Sequence, residues 1–127
     1  MIEALFNQPG YVATKKMLDA TALRHEAIAS NLANVETPNY KRIDIASDFQ
    51  AELKSAMGTN NAAKIASITP SLVEDTTAVA ANRDGNTVQL ESELLVLNQN
   101  TVAHTLETQL ISGKLLKLRL AITGRTS

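Results

Sequence analysis

From Val88 to Ile122 the hydrophobic positions recur at alternating steps of four and three. Leu90, Leu94, Leu97, Ile111, Leu115, Leu118 and Ile122 belong to this series, with Thr101, His104 and Thr108 filling its remaining places. At about 100° per residue they line one side of a helix. A second apolar set, Leu95, Val102, Leu106, Leu116 and Leu120, lies a third of a turn or more away. One stripe serves one partner, so two stripes imply burial against more than one neighbour. Asn86 with Gln89, or Thr87 alone, is the expected cap. Glu91 and Glu93 in the opening turns and Lys114, Lys117 and Arg119 near the close suit the helix dipole, and Gly124 is a natural stop.

The other end of the chain predicts a second long helix. Asn7 or Gly10 begins it, with Pro9 tolerated in the first turn. From Tyr11 to Ala33 there is no internal Pro or Gly, and Leu18, Thr21, His25, Ile28, Leu32 and Val35 recur at steps of three and four. This seam is narrow because Thr and His occupy two of its places. Ala20, Ala22, Ala27, Ala29 and Ala33 widen it with side chains small enough for another helix to come close.

Between the two helices the pattern weakens. Pro38 pushes Thr37 toward extended geometry, so the first helix is over by Glu36. "TPNY" then reads as a turn with Pro38 second and Asn39 third, where Asn tolerates positive φ. Alternation from Tyr40 to Ile45 predicts a short strand or extended arm. "SDFQAELKSAM" predicts a short helix in which Ser47 and Gln50 form a capping box and Phe49, Leu53 and Met57 share a side. From Gly58 to Thr87 the chain turns to Ala, Asn, Thr, Ser and Asp, with only scattered Ile65, Ile68, Leu72, Val73 and Val79 to offset about 1 to 2 kcal/mol of backbone entropy per residue. That part is expected to be mobile in the free monomer, with a few residues around Ile65 to Val73 pairing as strand once a partner is present.

The fold class that follows is mainly α, an antiparallel, coiled-coil-like pair of long N- and C-terminal helices with an extended, partly flexible middle segment. Its divisions are 1–36, 37–87 and 88–127. Composition sharpens the picture: 18 of 127 residues are Ala, four are aromatic, and ten of the sixteen Leu lie between Leu90 and Leu120, so core material is thin and lopsided. Exposed apolar area on the hairpin then has to be covered by other subunits.

Chemistry has little to work with. A net charge of −1 without a basic patch gives no steering toward nucleic acid. There is no Cys. "MIEALFNQPGY" lacks the basic start and apolar run of a cleavable signal, and no window approaches a membrane span of roughly 20 residues. His25 and His104 fall in helical seams and read as partly buried or interfacial residues with a hydrogen bond, and a metal site would need a further ligand recruited by assumption. The acid pairs Asp44 and Asp48, Glu74 and Asp75, and Glu91 and Glu93 read as solvated faces or helix-start charges. "NRDGNT", Asn82 to Thr87, lacks the later ligands of a cation loop and reads as a turn. No catalytic residue, cofactor or metal is expected.

What remains distinctive is the corner "ALRHEAIASNLANVETPNYKR". It closely resembles the N-terminal signature of the bacterial flagellar rod and hook proteins, with Ala22, Leu23, Arg24, Asn31, Ala33, Asn34, Thr37, Pro38, Tyr40 and Lys41 at the signature's positions. Asn39 stands where the family often has Gly. The closing helix resembles that of the family's proximal rod subunits, through Gly85, Asn86, Val88, Glu93, Leu110, Lys114, Leu118, Ile122 and Gly124.

The resemblance implies a structural subunit without enzymatic activity, placed in the rod that crosses the periplasm, exported through the flagellar type III apparatus without a cleavable signal peptide, and transmitting torque by helical packing. It implies as partners copies of itself and other rod subunits (FlgC-like and FlgF-like), with FliE and the MS-ring protein at the rod base. Asn31, Asn34, Thr37, Pro38, Asn39, Tyr40 and Lys41 would form an assembly turn, with Asn31 and Asn34 satisfying free carbonyls or reaching a neighbouring subunit. Leu18, Ile28, Leu32, Val35, Leu90, Leu94, Leu97, Val102, Leu106, Ile111, Leu115, Leu118 and Ile122 would be the helix-packing residues. The alternatives are a FlgC-like rod subunit and a soluble helical adaptor or export chaperone.

Overall fold

The computed structural model describes residues 6–124. Helix α1 runs Pro9–Ala33 and is followed by strand β1 (Ile43–Ile45), helix α2 (Asp48–Gly58), the single-turn helix α3 (Ala62–Ala66), strand β2 (Leu72–Glu74) and helix α4 (Leu90–Thr123). Pro9 occupies the first turn of α1, and Gly124 ends α4 in the left-handed region at φ 66°. At 1.5 Å per residue, the 34 residues of α4 span about 51 Å and the 25 of α1 about 38 Å.

The two long helices pack antiparallel, as the sequence predicts. Asn31 meets Glu93 near one end, Thr21 meets Asn100 and Glu107 in the middle, and Lys114 lies over Gly10 near the other. The face α4 turns inward, however, is rotated from the predicted one. Its seam combines Leu97, Ile111 and Leu118 with Glu93, Asn100, Glu107 and Lys114, which recur at steps of seven and are all buried or half-buried. Leu90, Leu94, Leu115 and Ile122 of the predicted stripe are exposed instead. The rotation has a physical reason. Each of the three polar residues Glu93, Asn100 and Glu107 finds a hydrogen-bond partner on α1, so burying that edge leaves no polar group unpaired. On α1, Leu18 and Leu32 are half-buried and Ile28 is buried, but His25 faces outward; Val35, just past the helix, is half-buried.

The opposite side of α1 carries a second layer. Ala13 of α1 joins Phe49, Leu53 and Ala56 of α2 and Ile65 of α3 in a small core, flanked by Met17, Ala20, Ile45 and Ile68. The middle of the chain therefore holds more local structure than its composition suggested. Ile65 is 0% exposed, and α3 that carries it is capped by Asn61, whose side chain accepts the amides of Ala63 and Lys64. β2 finds its partner within the chain: it pairs antiparallel with β1, Ile43 opposite Glu74 and Ile45 opposite Leu72.

Three local expectations are corrected. Ser47 precedes α2 in helical geometry (φ −63°, ψ −22°) and its side chain caps nothing, so the Ser47–Gln50 box does not form. Met57 points out, and Ala56 takes its place inward because steps of four then three, Phe49 to Leu53 to Ala56, follow the helix turn better than two steps of four. Neither Asn86 nor Thr87 caps α4, which starts at Leu90 after an uncapped Gln89; both side chains are committed to the corner described below.

Truncation at the centre of the second layer tests whether it is fixed to α1. Ile65→Ala is expected to cost about 2–5 kcal/mol in chemical denaturation. An unchanged midpoint would show that the middle of the chain does not depend on this core.

Candidate assembly site

The corner that follows α1 is built around one charged cluster. Glu93, in the first turn of α4, is 1% exposed, and its carboxylate faces Arg42, with Nε 2.7 Å from Oε2 and Nη2 3.4 Å from Oε1. Arg42 Nη1 also donates to Asp44 Oδ2 and Asp75 Oδ2, each at 2.9 Å. Arg24 on α1 meets Asp44 through Nε and Nη2, at 2.9 and 3.2 Å. One guanidinium thereby ties β1, the residue after β2, and the start of α4, and a second ties β1 to α1.

Burial alone would lower the Arg42 pKa, but hydrogen bonds and charge from Glu93 and Asp44 outweigh it and hold the guanidinium above its ordinary value. Burial would likewise raise Asp44, yet hydrogen bonds from Arg24, the Ile45 amide and Arg42 keep its carboxyl below the usual range. Asp75 is also held low, chiefly by the Thr77 hydroxyl.

Asn31 is the neutral centre of the same cluster and is 0% exposed. Its Nδ2 donates to the Ile43 carbonyl (2.8 Å) and to Glu93 Oε1 (2.9 Å). Its Oδ1 accepts from the Ile43 amide (3.0 Å) and the Tyr40 hydroxyl (3.3 Å). An Asn amide offers two donors and a carbonyl with two lone pairs, and all four are used. The first residue of β1 is in this way bonded to a helix side chain as if to a neighbouring strand.

Between α1 and β1 the chain makes the expected turn. The Tyr40 amide donates to the Thr37 carbonyl at 3.3 Å, and Asn39 holds φ 61°. Asn34 ends α1 by donating Nδ2 to the Ser30 carbonyl, 2.8 Å away, and accepts the Thr37 hydroxyl. Asn86 then locks the turn from outside α1: its Nδ2 lies 2.8–3.1 Å from the carbonyls of Asn34, Val35 and Thr37, while its Oδ1 accepts the Val88 amide. The Thr87 hydroxyl accepts the Arg42 amide, Asn39 donates to the Asp84 carbonyl, and Lys41 Nζ reaches the Gly85 carbonyl. Gly85 sits at φ 77°, where an added Cβ would stand 2.6 Å from Asn39 Oδ1.

Of the seven residues expected to form an assembly turn, Asn31 and Asn34 are thus spent inside the molecule, and the structure gives them bonds to their own chain. Thr37, Pro38, Asn39 and Lys41 are exposed, and Tyr40 is half-buried. Arg42, Asp44, Asp75, Asn86 and Thr87 were not among the candidates. Glu93 was read as a helix-start charge, although its place in the seven-residue series with Asn100, Glu107 and Lys114 was a usable signal. His104 shares the Thr21 hydroxyl with Glu107 and His25 faces outward, but among the described residues no group of three His or acidic side chains is placed to hold a metal ion. No described helix is long and apolar enough to cross a membrane.

The fold is a helical hairpin pinned by a buried polar clasp, with a long aliphatic face turned to solvent. Comparison with known proteins identifies its kind. Residues 18–41, the end of α1 and the turn, match the family described as "Flagella basal body rod protein". Relatives named flagellar basal body rod protein FlgB include those of Borrelia hermsii (32% identity, covering 75% of this chain and 82% of the relative), Cereibacter sphaeroides (34%, 80% and 84%) and Escherichia coli strain K12 (27%, 80% and 83%). The chain belongs to the flagellar basal body rod protein family, whose members are structural proteins and not enzymes.

The clasp yields two tests. Arg42→Ala leaves Glu93 buried without its counter-ion and is expected to cost about 3–5 kcal/mol in chemical denaturation, whereas a loss below about 1 kcal/mol would mean the cluster is not closed in solution. Because Asp44 and Asp75 are depressed, the stability they contribute is complete above the ordinary carboxylate pKa near 4 and is lost as pH falls through their lower folded values. Acid titration of stability should show that loss at and below about pH 4, and Asp44→Asn should flatten it.

Proposed function

We propose that this chain is a structural subunit of the proximal rod of the bacterial flagellar basal body and transmits torque by helical packing. The observation that carries this reading is the uncovered aliphatic surface of α4. Leu90, Leu94, Leu95, Val102, Leu106, Leu110, Leu115, Leu116 and Ile122 are all at least 41% exposed, and Val102 reaches 68%. They lie around a helix whose inner seam is already filled. Leu95, Val102 and Leu116 share one outward line at multiples of seven, so a neighbouring helix laid along α4 would bury them together.

On this reading copies of the chain and other rod subunits, FlgC-like and FlgF-like, cover the outer face of the hairpin. FliE and the MS-ring protein are the neighbours at the rod base. The site of action is the periplasmic rod, reached through the flagellar type III apparatus. The exposed Thr37, Pro38, Asn39 and Lys41 stand where the chain leaves the hairpin and serve as the outward edge of the assembly turn. A rigid corner suits a part that carries torque, since Arg42 and Asn31 fix the angle between hairpin and second layer.

The triple substitution Leu95→Gln, Val102→Gln and Leu106→Gln tests the reading. At about 25 cal/mol per Å² and some tens of Å² per side chain, it removes on the order of 3 kcal/mol of burial from each packed copy. It is expected to leave helicity and monomer stability unchanged while abolishing incorporation into isolated basal bodies and motility. Wild-type incorporation of the triple variant would overturn the proposal.

A further inference from the structure

A groove of about 590 Å³ runs between α1, α2 and α4. Its walls are mostly apolar, with Met17, Phe49, Leu53 and Met57 among them, and Glu107 lies in its lining. Glu107 is 7% exposed, and its Oε2 accepts the Thr21 hydroxyl at 2.8 Å. Burial raises its pKa, offset only in part by Thr21 and His104. None of the ion pairs among the described residues involves Glu107. The basic groups nearby are otherwise placed: Arg24 is committed to Asp44, Lys54 is exposed at the groove's edge, and His104 shares the Thr21 hydroxyl at 3.0 Å. The groove is therefore a mostly apolar slot whose lining also holds the Arg24–Asp44 pair and, at its rim, Lys54, and within it Glu107 is the carboxylate without a full counter-charge.

The far end of α4 has the complementary form. Leu115, Arg119 and Ile122 fall on one face at steps of four, three and seven, with Leu116 at its margin three residues before Arg119, and all four are exposed. Arg119 takes part in no ion pair among the described residues. A cation framed by aliphatic side chains is what a mostly apolar slot with one unpaired carboxylate would accept, because each buried charge then meets its opposite as water is excluded.

We infer that the groove between α1, α2 and α4 receives the Leu115–Ile122 face of a second copy of this chain, with Arg119 pairing to Glu107. The inference rests on the rod-subunit reading and names one contact within it. Groove and end face are different patches, about 18 Å apart along α4, so the contact is heterologous and each copy offers a free groove or a free end to the next. Growth is thus directional along the stack of copies. The substitution that relieves Glu107 of its buried charge, Glu107→Gln, keeps an acceptor for Thr21 and so spares the hairpin while removing the partner of Arg119.

Cross-linking tests the contact. Full-length chains carrying Met57→Cys and Leu116→Cys are produced together, since the native sequence has no Cys, and basal bodies are isolated and oxidised. A disulfide-linked dimer of the two different variants is expected, and adding Arg119→Glu to the Leu116→Cys chain should remove it. Incorporated chains that give no such dimer, or that cross-link to a different rod protein through Met57→Cys, overturn the inference while leaving the rod-subunit reading standing; a chain that never enters basal bodies in wild-type form overturns that reading itself. Self-association of the purified protein by sedimentation keeps the test open if the cysteine variants fold poorly. Glu107→Gln and Arg119→Ala should each weaken it by about tenfold or more, and together by no more than either alone. Additive losses, or none, would overturn the pairing.

Discussion

The fold turns on a carboxylate that has no business inside a helical hairpin unless a cation follows it there. Glu93 is nearly sealed from water, and only Arg42, 11% exposed at its side chain, and Asn31 make that tolerable. Removing an ion from water costs several kcal/mol, and its partner's attraction offsets this only when the geometry is good and the remaining lone pairs are filled. Here the geometry is good because β1, β2 and α1 all converge on the same point. Arg42 can reach Glu93 only if β1 leaves the turn in one direction, and the turn holds that direction only while Asn86 spans its carbonyls. The clasp, the turn and the antiparallel pairing are therefore one cooperative arrangement, each part supplying the others' hydrogen bonds.

This explains why so much of the molecule's apolar material lies outside. The hairpin seam takes Leu97, Ile111 and Leu118 from α4 but fills the alternate positions with Glu93, Asn100, Glu107 and Lys114. A seam of that kind is weaker than one of Leu throughout. It is also more selective, since Asn100 needs the Thr21 carbonyl and Glu107 needs the Thr21 hydroxyl at one register alone. Polar groups in a helical seam specify register at some cost in stability. For a chain whose other faces are rich in Leu, that selectivity matters: a purely aliphatic seam would pair as readily with a neighbour's α4 as with its own α1.

The long helices, the end of α1 near Pro38, the positive φ of Asn39 and the stop at Gly124 were legible because each depends on residues close in sequence. The turn is the clearest instance, with Pro38 and Asn39 acting within four residues. The polar cluster was not legible in the same way. Glu93 stands two residues from the exposed Glu91 in the same helical turn, and nothing local separates a charge that favours the dipole from one that is buried 51 residues away from its cation. Asp44 and Asp75 read as solvated for the same reason. The inward face of α4 was misplaced because counting apolar positions rewards Leu94 and Leu115, while the buried edge is marked by polar residues at steps of seven. The second layer was underestimated because Ile65 looks isolated in sequence and becomes the middle of a core only when α3 folds back on Ala13 and Phe49.

A division of labour follows between the two kinds of surface. Hydrophobic burial is strong and undirected, so a chain that must bind several neighbours gains by keeping its aliphatic faces for them. Hydrogen bonds and ion pairs are directional, and they lose strength quickly when misaligned. Used inside, they select a single hairpin before any neighbour arrives. Used outside, they would be diluted by water and salt. The corner of this protein uses the directional kind: the polar clasp decides the shape of the hairpin, and on the proposed reading the exposed Leu rows of α4 are left for its neighbours. Reversing the assignment, with an aliphatic seam inside and charged faces outside, would give a stable hairpin with no apolar face left for a neighbour.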